Sequence, residues 1–338
     1  MSTETPRKDR RVWLVAASIC ALVVVAGVTT ATNTNALGPN DLCDGWLSSG
    51  DVGKTFDGFG RVTGKTDHAD SCFVEQSGWL PGAKDAQVAL EPLSVNAVDP
   101  FARGGWDVSG AQNILPGALP GAFDQHGNGW VSLPAGCAAI GDGTAPGSRT
   151  VLHVNVRRGD VDPTELARLA QGAARELAAD HDCAPAAPQP KNATADLVAA
   201  SAPAKSDPAE VCGLDGFALG AEAPAGSPLR EQTSGSRDDS WFCDLSLDHP
   251  ATGLPRDDER EPFVRLAIIR NPELLAAAKE RRFDHAVCGG KETYFAMDTA
   301  TYVYAPDTPE EKAEATLFKA SDVADRFTEA ARASLGCA

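Results

Sequence analysis

The sequence predicts an α+β protein: two tandem similar domains, each an antiparallel sheet with N- and C-terminal helices and two disulfides, behind one N-terminal transmembrane helix. Three observations carry this expectation. An uncharged run opens the chain, eight later cysteines fall into two sets of matching spacing, and two amphipathic helices close the two sets.

The opening run, Val12 to Ala31, has about the length needed to cross a ~30 Å hydrocarbon core as a helix. Lys8, Arg10 and Arg11 stand just before it, so the positive-inside rule puts residues 1–11 in the cytoplasm and the bulk outside, with 12–31 as transmembrane helix or signal anchor. Thr29-Thr30-Ala31 is also a tolerable small-residue cleavage site, which leaves secretion after cleavage near Ala31 as the alternative. Cys20 lies inside the apolar run and reads as a small residue facing lipid; Ile19 before it argues against lipidation.

The remaining cysteines are Cys43, Cys72, Cys137, Cys183, Cys212, Cys243, Cys288 and Cys337. Successive spacings are 29, 65 and 46 residues in the first four and 31, 45 and 49 in the second. An even count outside a membrane reads as a disulfide framework. The two sets define repeat 1 at 38–183 and repeat 2 at 208–338, joined by an Ala/Pro-rich linker at 184–207. If each repeat closes on itself and both use one pairing, three connectivities survive. The expected one is Cys43 with Cys72, Cys137 with Cys183, Cys212 with Cys243 and Cys288 with Cys337, which ties each element to a neighbour in sequence.

Each element has its own signal. Pro39-Asn-Asp-Leu-Cys43 and Asp207-Pro-Ala-Glu-Val-Cys212 read as capped helix starts. Cys72-Phe73-Val74 and Trp241-Phe242-Cys243 read as apolar strands after polar loops. Val151 to Val156, Thr293 to Met297 and Tyr302-Val303-Tyr304 continue the sheets. Leu166, Leu169, Ala170, Ala173 and Leu177 recur at helical spacing, as do Val323, Phe327, Ala330 and Leu335. About four strands per domain are expected.

This order of helix with Cys, strand with Cys beside an aromatic, strand near a third Cys and terminal helix resembles actinobacterial extracytoplasmic (lipo)protein domains of unknown function. It is similar, more distantly, to the extracytoplasmic sensor domains of mycobacterial serine/threonine kinases. Their opening Cys-Leu-Leu stands here as Cys43-Asp-Gly-Trp46 and Cys212-Gly-Leu-Asp215. The resemblance covers both repeats and implies an α+β sandwich with a ligand cleft. It transfers no catalytic residue.

Net charge bounds the partners. The chain carries -17, and without its first eleven residues 26 basic and 45 acidic side chains remain. Such a surface repels phosphate backbones, so nucleic acid is not an expected partner. Gly64-Lys65-Thr66 has the tail of a phosphate loop without its glycine spacing, and reads as a polar turn. No Gly-x-Ser-x-Gly occurs, and the histidines, His126, His153 and His285 among them, are scattered. No zinc spacing is present, and Asp257-Asp258-Glu259 with Glu261 lacks the alternation of a calcium loop. No cofactor is expected.

The insertion Val95 to Trp130 supplies the candidate partner contacts Phe101, Trp106, Phe123 and Trp130, because aromatic residues on outer loops make strong anchors. The expected activity is non-catalytic binding or sensing of an envelope protein or small ligand, through this loop or the groove between the repeats. An envelope enzyme and a structural or assembly partner are the alternatives.

Overall fold

The computed structural model describes residues 7–35, 38–56, 60–67, 71–80, 85–94, 108–134, 137, 140, 150–183, 196–223, 228–248, 262–300 and 303–337. Helix α1 (Arg7–Asn33) contains an apolar window, Trp13–Thr30, none of which is buried against the rest of the protein. Ser18 and Thr29 turn their hydroxyls back to the carbonyls of Leu14 and Val25, which satisfies them within the helix.

After α1 come the short pair β1 (Asp41–Leu42) and β2 (Leu47–Ser48), then α2 (Ser49–Thr55), β3 (Arg61–Thr66), β4 (Cys72–Ser77), β5 (Ala86–Ser94), β6 (Asn113–Leu115), β7 (Gly121–Phe123), β8 (Gly129–Ser132), β9 (Thr150–Arg158) and α3 (Pro163–Asp180). Strands β3 to β9 form an antiparallel sheet in the order β3-β4-β5-β9-β8-β7-β6. The chain continues through β10 (Ala204–Lys205), β11 (Leu229–Gly235), β12 (Ser240–Leu247), β13 (Val264–Ile269), α4 (Pro272–Glu280), β14 (Asp284–Cys288), β15 (Lys291–Thr299), α5 (Pro309–Ser321) and α6 (Val323–Leu335). A second antiparallel sheet has the order β10-β11-β12-β13-β15-β14. Seven and six strands replace the expected four. In each sheet a three-strand meander receives the last strand beside its third, and what lies between those two differs.

The helices start where local chemistry dictates. Asp162 caps α3 by accepting from the N–H groups of Thr164 and Glu165, with Pro163 in the first turn. Thr308 and Glu311 form a reciprocal capping box on α5. The expected helix starts at Cys43 and Cys212 are corrected: each cysteine sits in a single 3-10 turn in left-handed backbone, with φ of 51° and 59°. A β-carbon in that region costs about 1 kcal/mol, and both positions are buried and disulfide-bonded. Gly64 lies in β3 and not in a polar turn; a β-carbon there would stand 2.7 Å from Leu42 Cβ, so glycine lets the cysteine turn pack on the sheet. Tyr302 lies outside the described residues, and Val303 is buried in a turn instead of a strand.

Four disulfides join Cys43 to Cys72, Cys137 to Cys183, Cys212 to Cys243 and Cys288 to Cys337. These are the pairs favoured by the spacing.

Alternation along the strands explains the layering. On one face of the first sheet Leu115, Phe123, Val131, Leu152 and Val154 pack on α3 through Leu166, Ala170, Ala173 and Leu177. On one face of the second, Cys243, Leu245, Leu266, Ile268 and Phe295 pack against Phe327, Ala330 and Ala331 of α6. The residues of opposite parity, Ile114, Ala122, Trp130 and Val151 from the first sheet and Phe242, Ala267, Ile269, Tyr294 and Ala296 from the second, meet in a third core with Leu274 and Ala278 of α4. The head is therefore four layers, helix, sheet, sheet and helix, with apolar contact between the sheets.

Candidate functional site

Two places join parts of the molecule that the sequence reads as separate, and both are built from polar side chains placed at element ends. The first is the seam between the sheets. Asp244 points from β12 to the seam side, opposite in parity to Cys243 and Leu245. Its Oδ1 accepts the N–H of Gly110 at 2.9 Å, and Ser234 Oγ donates to the Ser109 carbonyl at 3.0 Å. Glycine at 110 is required by close approach, because a β-carbon there would overlap the Gln232 carbonyl oxygen and stand 2.8 Å from the Asp244 nitrogen. Burial pushes the Asp244 carboxyl up to about 6, against the lowering influence of Gly110, the Arg265 guanidinium, Ser109 and Ala111.

At the other end of β6, Asn271 Nδ2 donates to the Gly117 carbonyl at 2.8 Å and to Asp239 Oδ1 at 2.9 Å, while its Oδ1 caps α4 by accepting from Glu273 N–H at 3.0 Å. Asp239 is raised by burial, with Asn271, Gly117 and Lys291 acting in the opposite direction. Two carboxylates of the second sheet thus grip the turns on either side of β6.

The segment read as a linker adds to this grip. Residues 184–195 lie outside the described residues, but Val198 exchanges both backbone hydrogen bonds with Ile114 at 2.8 and 2.9 Å. Ser201 N–H then bonds to the Thr233 carbonyl, and β10 pairs with β11. Residues 196–205 are laid along the edges of both sheets and are not a free spacer.

The candidate partner contacts separate accordingly. Phe101 and Trp106 lie outside the described residues, as do Asp257, Asp258, Glu259 and Glu261. Phe123 is 0% and Trp130 3% exposed, so neither is available to an outside partner: Phe123 fills the core under α3 and Trp130 fills the seam. The expected groove between the repeats is corrected by the same packing, since the third core occupies it. Ile114, Ala122 and Trp130 of β6, β7 and β8 pack instead against the second sheet of the same chain.

The histidines are not brought together. His153 is half-buried on β9, His126 lies in the β7–β8 turn, and His285 is on β14, stacked on Tyr294 with centroids 5.3 Å apart. Among the described residues, no three of His, Cys, Asp and Glu cluster in a way that could hold a metal ion. Strand edges are also occupied. On β14 Arg332 donates to the His285 carbonyl at 3.1 Å and Cys337 bridges to Cys288.

The second place is the foot of the head. Asn33, in the last turn of α1 and 1% exposed, accepts from the backbone N–H groups of Trp79 at 2.9 Å and Leu80 at 3.3 Å. Asn35 Oδ1 accepts Val62 N–H at 2.7 Å. The apolar helix is thereby fastened to β3 and to the end of β4. The signal of this joint in the sequence is a pair of side-chain amides, Asn33 and Asn35, directly after an apolar run. Neither a family model, nor a curated protein, nor a solved structure matches this chain.

Proposed function

We propose that the chain is a single-pass membrane protein, N-terminus in the cytoplasm, whose rigid extracytoplasmic head binds or senses an envelope protein or small ligand without catalysing a reaction. The observation that carries this is the direct passage of an uncovered apolar helix into a disulfide-bonded head at Asn33 and Asn35. An apolar helix without protein cover has its natural solvent in lipid. The basic residues before it favour one orientation, and four disulfides fit the oxidising side that this orientation provides.

The head is read as two diverged copies, 38–183 and 208–338. Each has a left-handed cysteine turn, a bond from it to the second strand of the meander, and a closing helix whose end is tied back by the second bond. The first copy carries β6 to β8 before its last strand where the second carries α4 and β14. The resemblance to sensor-type extracytoplasmic domains agrees with this reading. The use of Asp239 and Asp244 in the seam supports a structural and not a chemical role for these two carboxylates.

Protease added to intact cells should remove the head, while the N-terminal peptide stays in the membrane after alkaline extraction. A protected head, or a soluble protein that starts after Ala31, overturns the topology. Turnover of an envelope substrate by the purified protein overturns the non-catalytic part.

A further inference from the structure

We propose that Trp79 lies in the lipid headgroup layer of the outer leaflet, so that the head touches the bilayer at a second point beside its anchor. This inference rests on the reading of α1 as a membrane span.

Trp79 is 63% exposed, whereas Trp46, Trp130 and Trp241 are all buried. Its depth relative to the span follows from its partner. The apolar window ends at Thr30, and Asn33, which holds the Trp79 N–H at 2.9 Å, is three residues further on. At 1.5 Å per residue the Trp79 backbone sits roughly 5 Å beyond the end of the apolar window. The headgroup layer on each side of the hydrocarbon is roughly 5–8 Å thick. An indole attached there falls inside that layer, where an apolar ring with one N–H donor is favoured. The position does not depend on a flexible stalk, because Asn33 is buried and Asn35 fastens the next residues to β3.

Charge does not supply the contact. The chain is strongly acidic, so anionic headgroups would repel the head as a whole. The occupant is therefore the interfacial layer of any bilayer, zwitterionic lipid included, and the contact is aromatic.

The test uses the full chain in phosphatidylcholine vesicles whose acyl chains are brominated close to the headgroup, with tryptophan emission read for wild type, Trp79→Phe and Trp13→Phe. Trp13 is the first residue of the apolar window and reports insertion of α1 itself. Each substitution should remove its own share of the quenchable emission, and quenching by lipid should persist when salt shortens the screening length to about 3 Å. If Trp13→Phe lowers the quenchable share and Trp79→Phe leaves it unchanged, the anchor stands and Trp79 does not touch lipid. If neither changes it, the anchor reading falls and takes this inference with it. Loss of Trp79 quenching at high salt means a charge-driven contact and also overturns the proposal.

Discussion

Asp244 of the second sheet accepts the backbone N–H of Gly110 of the first at 2.9 Å, inside an interface that holds both groups away from water. Because burial raises this carboxyl to about 6, the folded protein keeps a proton there that the unfolded chain, titrating near its ordinary value of 3.8, has already released. Between those two values the folded state binds more protons, so stability falls as pH rises through the window and stays reduced above it. The whole effect is on the order of 3 kcal/mol. Asp239, also raised by burial, acts in the same direction. Denaturant midpoints should decrease between about pH 4 and pH 7. Asp244→Asn, which keeps an acceptor for Gly110, should flatten that decrease; an unchanged profile would show that Asp244 is not its source.

Gly110→Ala and Gly172→Ala should have opposite signs. At 110 the methyl group meets the backbone of the facing sheet, and opening the seam to admit it should cost about 1–3 kcal/mol. At 172, inside α3, nothing lies within 4 Å, and replacing glycine in a helix should contribute up to about 1 kcal/mol of stability. Thermal midpoints of the two variants, measured side by side, decide this.

Trp130 and Trp79 divide in the same way. Truncating Trp130 to Ala empties a place in the seam and should cost about 3–5 kcal/mol. Trp79→Ala should leave the head's thermal midpoint within about 0.5 kcal/mol of wild type, as for other exposed positions. A small effect at Trp130 would contradict the packed seam.

These contrasts mark where the sequence was legible. Cysteine spacing narrowed the pairings to three, of which the one joining neighbours in sequence is found, and helical periodicity places Leu166 to Leu177 and Val323 to Ala330 on their buried faces. The seam was written in less obvious form. Trp241, Cys243 and Leu245 at one parity and Phe242 at the other are apolar, and Val264 to Ile269 is apolar at both but for Arg265, which is the mark of strands covered on two faces. Reading those runs only as strands left the second cover out, and Trp130 then looked like a surface anchor. The positions of Gly110, Asn271 and Asn33 could not be read, since each depends on a backbone group far away in sequence. The left-handed turns at Cys43 and Cys212 were hidden because the Asp and Pro signals before them also open helices.

Peptide mapping without reduction should return four intramolecular bonds and leave Cys20 alkylatable in denaturant. A bond between any cysteine before residue 184 and any after 208 would refute both the pairing and the division into two units. Removing Cys137–Cys183 by paired Ser substitution should cost about 2–5 kcal/mol, because it frees the end of α3 from the loop before β9.

Asn33 is the joint between the apolar helix α1 and the head, and its loss should uncouple them without unfolding either. In Asn33→Ala the N–H groups of Trp79 and Leu80 lose their acceptor, and a buried amide without one costs about 1–3 kcal/mol unless the segment opens to water. Opening is the easier course, since the foot is held by few bonds while the head has its own cores and disulfides. Amide exchange at Trp79 and Leu80 should therefore quicken, and proteolysis between α1 and β1 should become faster, while exchange in β12 and β13 stays slow. Asn33→Asp retains a side-chain oxygen facing the two donors and should restore protection. If Asn33→Ala instead loosens the whole head, Asn33 belongs to its core and not to a joint. If exchange at Trp79 is already fast in the wild type, the head is tethered flexibly and the hydrogen bonds at Asn33 do not fix its position relative to α1.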